Sequence, residues 1–507
     1  MLWLALEFPR LPLQALASPS SPSAVVERGR VRVADAQAAA AGVQPGLRLA
    51  TALALAPGLQ ALAADSGREA AALLQLACWA GRFSPTVSLV PPQTVLLEIA
   101  GCLRLFGGQA ALLQAALAEL QAQGWTVAAG VAPTPLAARW LAAAAFAANP
   151  EAAAGPPPLR NTNTAELVSE LAGLPLTLIA RVSHWPAAAS ARLAACGCRQ
   201  LGDLLALPTA ELRLRIGEAP VTDLLRAQGS LPDPQTPFVF PEVFSQRLEL
   251  PGRVEVAEGL LFGAQRLLAA LAGWLQARQL LLRTAVLSLE HEHRSEACSR
   301  IPLQFGEPGC DPERWLRLLR EHLARRPLPG SVLALRLEAE QVVAAGGETA
   351  ALWGDKSGGE GASACIERLR ARLGTAAVHS LTLTADYRPE CATAPCEPLL
   401  PATAGREASE AASMARASAS GPGLGPMTRP LCLFAPPQAL AERHGVPHWR
   451  GPLRLQGRGE RIESGWWDSG EGAGDVRRDY FVACNPAGQW LWIFRAADGW
   501  FLHGLFA

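Results

Sequence analysis

The sequence predicts a multidomain α+β protein, and three observations point there. Up to Ala148, short apolar runs with a period of two alternate with Ala- and Leu-rich helical stretches. Proline-rich breaks at residues 149–164 and at Pro232, Pro234 and Pro237 divide the chain into pieces long enough for separate cores. After Pro430 the composition changes again, and Trp, Tyr and Phe crowd into strand-like runs.

Residues 2–8 read as a buried first strand, with Leu4, Leu6 and Phe8 on one face and Trp3, Ala5 and Glu7 on the other. Pro9 and Pro12 end it. A short strand over 24–27 turns at Arg28-Gly29 into 31–33. Helices are expected at 36–41 and 69–80, where Ala and Leu favour them. Residues 87–90 and 94–99 read as strands joined by the rigid Pro91-Pro92 pair. Gly107-Gly108 precedes a helix over 109–121, 125–131 is a further strand, and Pro133 and Pro135 introduce a helix through 136–148. Such alternation suggests an α/β arrangement around one sheet.

From Thr164 to about Gly229 short helices dominate. Residues 187–195, Gly197 and 201–205 spell helix, glycine turn, helix, as in a helix-hairpin-helix unit; a generic helical bundle accounts for the same pattern. A second α+β region follows, with strands at 244–250, 281–290 and 331–339 and helices at 260–277 and 315–323. Residues 366–373 and 380–384 are expected to complete a repeat of the same helix and strand motifs. Residues 391–430, rich in Ala, Ser, Gly and Pro, are expected to be a flexible tether. In the tail Trp490, Trp492 and Phe494 alternate on one side of a strand, and Gly488 and Gly499 suit hairpin turns.

Composition sets outer limits. The 45 basic and 45 acidic residues cancel, so no global field draws the chain to nucleic acid. Lys356 is the one lysine, consistent with a compositional bias toward Arg. Eleven cysteines are scattered; Cys196 and Cys198, one residue apart, lack the usual zinc spacing, and free thiols in a reducing cytoplasm are expected. Residues 1–8 lack the basic region and cleavage site of a signal peptide, and no stretch has membrane-spanning character. No metal or cofactor site is expected.

The order of these signals resembles the Y-family lesion-bypass DNA polymerases, and more closely their ImuB-like mutasome branch. The family's first strand carries alternating carboxylates; in Leu4-Ala5-Leu6-Glu7-Phe8-Pro9 the corresponding positions are assigned to Leu4 and Leu6. The family's second acidic pair is matched by Gln93 and Thr94, followed by residues 95–101 with Glu98 the remaining acid. Glu7, facing away from Leu4 and Leu6, reads as a surface group. Thr134 and Pro135 stand where active enzymes present Asn-Lys. Nucleotidyl transfer needs oxygen ligands around paired divalent ions, and leucine, an amide and a hydroxyl do not supply that charge. The catalytic site is therefore expected to be degenerate at Leu4, Leu6, Gln93 and Thr94.

The resemblance implies Y-family DNA polymerase-like palm and fingers over 1–163 (fingers about 10–80) and a helical thumb with a helix-hairpin-helix unit over 164–237. It further implies an α+β little finger over 238–390, a flexible linker over 391–430 and a small β-rich module over 431–507. Arg283, Arg294 and Arg336 are candidate DNA contacts, alongside the reading of ordinary surface arginines. Residues 386–390, 460–468, 477–480 and 500–506 match segments of the ImuB-like branch. Trp466, Trp467, Arg477, Arg478, Tyr480, Trp490, Trp492, Trp500 and Phe501 are therefore candidate partner contacts, although a small β core accounts for the same aromatics.

Implied partners are the bacterial replicative sliding clamp, a RecA-like accessory protein and an error-prone DnaE-type polymerase, with weak or complex-dependent DNA binding. The clamp peptide is assigned to Thr349, Leu352 and Trp353, with residues 431–434 as a rival. The expected function is a non-catalytic scaffold for damage-induced mutagenic synthesis. A divergent active polymerase and a standalone DNA-binding protein are the alternatives.

Overall fold

The computed structural model describes residues 1–15, 22–148, 164–291, 299–325, 328–345, 362–396, 429–430, 432–467 and 475–506. The chain resolves into two compact units, Met1–Gly358 and Gly359–Ala507. Both mix helices with antiparallel sheets, giving the expected multidomain α+β class.

The first unit is organised around a four-stranded antiparallel sheet in the order Val87–Val90, Thr94–Glu98, Trp3–Glu7, Ala128–Ala132. The first strand is paired on both edges and covered by helices on both faces, so it reads as a continuous apolar run. Leu4, Leu6 and Phe8 enter a core with Leu73, Leu76 and Trp79 of the helix Ser66–Ala80 and Leu113 and Leu117 of the helix Gln109–Ala122. Trp3 and Ala5 enter a second core with Leu136 and Trp140 of the helix Pro135–Ala148. That helix seats on bare backbone: a Cβ on Gly130 would collide with the Ala138 carbonyl oxygen and the Ala142 nitrogen.

A three-stranded sheet, Arg30–Ala34, Ser23–Glu27 and Gln60–Ala63, carries the next elements. The helix Leu49–Leu55 and the strand Gln60–Ala63 were not expected from sequence. Asp35 and Asp65 start two helices by accepting the N–H groups of Ala38 at 2.7 Å and Arg68 at 3.0 Å.

The helical region from Thr164 to Gln228 shares the second core through Leu171, Ile179 and Leu204. The expected helix–turn–helix is present as Ala187–Ala195, Gly197 at φ +79°, and Leu201–Leu205. Gly197 is suited to this left-handed turn because it has no Cβ. Asp203 accepts the N–H groups of Arg199 and Gln200 at 2.8 and 3.0 Å, which holds its carboxyl below the usual range.

A second four-stranded sheet runs Ser299–Gly309, Leu280–His291, Val332–Ala344, Ser245–Val254. The helix Ala257–Ala277 lies on one face, with Gly263 approaching Leu248, Leu250 and Leu335. Strand Ser299–Gly309 was missed because Pro302, Gly306 and Pro308 interrupt it; as an edge strand it tolerates them.

In the second unit, the strand Ser380–Leu383 pairs with Thr393–Cys396. The helix Ala362–Leu373 and this strand are the helix and strand expected at 366–373 and 380–384. The main element is a six-stranded antiparallel sheet, ordered Val446–His448, Cys432–Arg443, Gly499–Leu505, Trp490–Ala496, Val476–Cys484, Arg454–Ser464. Apolar clusters line it, one around Leu491, Ile493, Trp500 and Leu502 and another around Ile462, Tyr480, Trp492 and Phe494. Of the residues expected to form a flexible tether, 397–428 lie outside the described residues.

Candidate functional site

Strand register places Glu7 opposite Thr94 on one neighbour and Ala128 on the other. The Gln93 side-chain amide donates to Glu7 Oε1 at 3.0 Å, and the Phe8 N–H donates to the Gln93 carbonyl at 2.9 Å. The structure therefore brings together Glu7, Gln93 and Thr94. It does not bring Leu4 and Leu6 to them: both leucines are fully buried in the core formed with the helices Ser66–Ala80 and Gln109–Ala122.

Glu7, read from sequence as a surface group, is half-buried and bonded. Burial pushes its carboxyl up, against the pull of the Gln93 amide and the Arg139 and Arg181 guanidiniums. Arg139 is itself pushed down by burial, while Glu7, Asp233 and Asp223 favour its charge. Thr134 donates to the Ala227 carbonyl at 2.8 Å, and Leu136 N–H donates to Asp233 at 3.1 Å, so the start of this helix is tied to the helical region.

These residues do not fit a pair of divalent ions. Such ions require several oxygen ligands carrying negative charge. Here one partly desolvated carboxylate accepts an amide hydrogen bond and has two guanidiniums as charge neighbours. Among the described residues, no group of three or more His, Cys, Asp and Glu is placed to hold a metal ion.

The candidate DNA contacts divide. On the sheet face opposite Leu248 and Leu335, Arg336 pairs with Glu290 at 3.4 Å. Glu290 also receives Arg247 at 2.9 Å, Arg247 reaches Glu249 at 2.6 Å, and Arg300 pairs with Glu340 at 3.2 Å. Among the described residues, this face pairs Arg247, Arg300 and Arg336 with acidic neighbours. Arg283 is exposed, and Arg294 lies outside the described residues.

In the second unit, segments distant in sequence meet in a hydrogen-bonded chain. Arg478 Nη1 donates to Glu390 Oε1 at 2.8 Å and to the Tyr480 hydroxyl at 3.1 Å. The Tyr480 hydroxyl lies 2.8 Å from His503 Nδ1. With Tyr480 donating there, the imidazole keeps its proton on Nε2, which faces Glu390 Oε2 at 3.8 Å. Burial pushes the Tyr480 phenol up to about 12 and His503 down. Asp386, held at about 2 by Arg388, accepts from Ser464 at 3.4 Å. The segment around Pro389 is thereby fastened to the sheet.

Burial sorts the aromatic candidates. Tyr480, Trp492 and Trp500 are core residues, which corrects their assignment as partner contacts; the alternation that marked them is that of a covered sheet. Phe501 is half-buried and stacks on Phe494 at 5.1 Å. Arg478 is engaged as described, and Arg477 pairs with Asp475 at 2.7 Å. Trp466, Trp467 and Trp490 are 74%, 51% and 48% exposed among the described residues. Thr349, Leu352 and Trp353 lie outside the described residues, as does Leu431 of the rival peptide, whose Phe434 packs against the sheet core.

Residues 14–143 match the impB/mucB/samB family. Protein ImuB of Caulobacter vibrioides strain NA1000 / CB15N is 30% identical over 492 residues, covering 92% of this chain and 100% of that protein. Protein ImuB of strain ATCC 19089 / CIP 103742 / CB 15 matches to the same extent. Among solved structures, a Dbh ternary complex aligns at 17% identity and TM-score 0.38, and DinB from Sulfolobus solfataricus at 17% and 0.37; each alignment covers 68% of this chain and 100% of the other. On its full-length match to the Caulobacter proteins, the chain belongs to the ImuB family.

Proposed function

We propose that this chain is a catalytically inactive, polymerase-like scaffold in damage-induced mutagenic translesion DNA synthesis. Membership of the ImuB family supports a role in that process. The observation that carries the inactive half is the Glu7 site, where the Glu7 carboxylate accepts an amide hydrogen bond from Gln93 and has the Arg139 and Arg181 guanidiniums as charge neighbours. Nucleotidyl transfer depends on ion-bound oxygens, and this environment disfavours a second positive centre.

The scaffold would join the replicative sliding clamp, a RecA-like accessory protein and an error-prone DnaE-type polymerase in the bacterial cytoplasm. Its contribution would be effective concentration, since tethering converts a second contact into an intramolecular one. We read residues 1–163 as palm and fingers, 164–237 as thumb and the sheet of residues 245–344 as the body of the little finger, and we group the paired strands Ser380–Leu383 and Thr393–Cys396 with the interaction module of 431–507. We assign the clamp peptide to Thr349, Leu352 and Trp353, polymerase or accessory docking to Trp466, Trp467 and Trp490, and a minor DNA contact to Arg283.

Co-capture of the three purified partners tests this reading. The full chain is expected to retain all three, and the Trp466→Ala/Trp467→Ala/Trp490→Ala chain to lose the polymerase or the accessory protein while staying folded. Equal capture by both chains would contradict the docking assignment. The Glu7 carboxylate beside Gln93 and Thr94 favours one second reading, a divergent active polymerase, in which Glu7→Ala abolishes extension.

A further inference from the structure

Within Met1–Gly358, connectivity alone would let two sheets hinge: the one containing Trp3–Glu7 and the one spanning residues 245–344, joined through the proline-rich residues 232–243. Three features oppose that freedom. First, the helix Ala257–Ala277 crosses the helix Ser66–Ala80 without side chains between them at one point. A Cβ on Gly273 would run into the carbonyl oxygens of Cys78 and Trp79, and one on Gly81 would lie 2.6 Å from the Gly273 carbonyl oxygen.

Second, Arg266 of the long helix, only 6% exposed, reaches into the body of the first sheet. Its Nε donates to the Gln123 carbonyl at 2.8 Å and its Nη1 to the Gln14 carbonyl at 3.1 Å. The guanidinium lies 4.0 Å from the Trp125 ring centroid and 5.0 Å from that of Phe262. Gln14 is fixed in turn, its amide nitrogen donating to the Gly124 carbonyl and Thr126 Oγ1, each at 2.9 Å. Third, the connector is pinned at both ends. Phe238 N–H donates to the Val87 carbonyl at 2.7 Å, Pro237 bridges to Ser88, and the Trp274 indole donates to the Pro241 carbonyl at 2.7 Å.

Opening this joint would strip a buried cation of its carbonyl acceptors and its aromatic face together. A charge left buried without partners is among the costliest defects a fold can carry. The glycine crossing adds a steric key, since close packing transmits displacement and does not absorb it.

We propose that Arg266 and the Gly81–Gly273 crossing weld the sheet of residues 245–344 to the polymerase-like core, so that both move as one rigid body even when DNA is offered. Arg266 is a positioning residue in this joint. The welded sheet is then a platform of fixed geometry, and its charge-paired face stays in one place relative to the Glu7 site.

Nitroxide labels introduced through non-natural residues at exposed Gln121 and Gln304 of the full chain test this by pulsed dipolar spectroscopy. A single narrow distance distribution is expected, unchanged by saturating primer–template duplex. Arg266→Met and Gly273→Val are each expected to destroy the single narrow distribution. A second label pair at Gln121 and exposed Leu105 reports on the core alone and should not change. A broad or bimodal distribution in the unmodified chain, a shift on adding duplex, or a narrow distribution retained by both variants would overturn the proposal. So would a change at the Gln121–Leu105 pair, because Arg266 would then hold up the core itself and not the joint.

Discussion

Replacing Trp492 by alanine separates two readings of the aromatic tail. Trp492 is fully buried and stacks on Tyr480 with ring centroids 4.2 Å apart. Truncating a buried Trp costs about 3–5 kcal/mol, of which aromatic stacking accounts for about 0.5–1.5 kcal/mol. Against a typical domain stability of about 5–15 kcal/mol, that removes a large share of the second unit's margin. With a urea slope of about 2 kcal/mol/M, the midpoint for this unit should fall by about 1.5–2.5 M.

Trp466, 74% exposed, should cost no more than about 0.5 kcal/mol when truncated. Urea unfolding of the full chain, with hydrogen exchange read over residues 476–505, measures both. The expected pattern is loss of protection for Trp492→Ala and none for Trp466→Ala. The reasoning is refuted if Trp492→Ala keeps parental stability and protection while abolishing partner capture, because Trp492 would then be a docking residue.

Four further outcomes follow from the geometry. Glu7 has a folded pKa above 4.5, so the native state binds the proton more readily and stability falls as pH rises from 4.5 through that raised value. Glu7→Gln should therefore melt higher than the parent at pH 7, with the gain closing below pH 4.5. Tyr480→Phe leaves His503 Nδ1 and an Arg478 N–H short of a partner and should cost about 1–3 kcal/mol by urea unfolding. His503 has a folded pKa below 6.5, so the unfolded chain takes up the proton first and stability falls as pH drops from 6.5 toward the lowered value. His503→Gln should flatten that slope between pH 7.5 and 5.5. Arg336, paired with Glu290, should change the salt dependence of duplex binding by well under the slope of about 0.9 expected per phosphate contact when replaced by Ala, read by anisotropy titration.

The first strand was legible because Leu4, Leu6 and Phe8 alternate with Trp3 and Ala5 and both faces are apolar. What that pattern cannot carry is register. Glu7 becomes the carboxylate at Gln93 and Thr94 only through its pairing with a strand some ninety residues away. A local signal existed, a lone acid at the end of an apolar strand, but it does not by itself tell a surface group from a half-buried one. Arg139 and Arg181 had no local signal, since their relation to Glu7 exists only once the helices pack.

The same limit applies to the tail. Period-two aromatics announced strands and Gly488 and Gly499 their turns, both at positive φ. Which aromatics are covered depends on neighbouring strands and on a segment carrying Glu390, bonded to Arg478 across 88 residues of sequence. Residues 380–384 were legible as a strand but their partner was not, because Ser380–Leu383 pairs with Thr393–Cys396 within a stretch read as tether. Composition identified the low-complexity region but not the short pairing at its start.

The central claim is that the polymerase-like framework has no working nucleotidyl-transfer site, and primer extension by the purified full chain tests it most directly. With Mg²⁺ or Mn²⁺, all four deoxynucleotides and a primer–template, no template-directed product is expected, alongside an active bypass polymerase as positive control. Robust extension by the unmodified chain that disappears in Glu7→Ala would contradict the account, because Glu7 would then serve as a metal-binding carboxylate despite its hydrogen bond from the Gln93 amide.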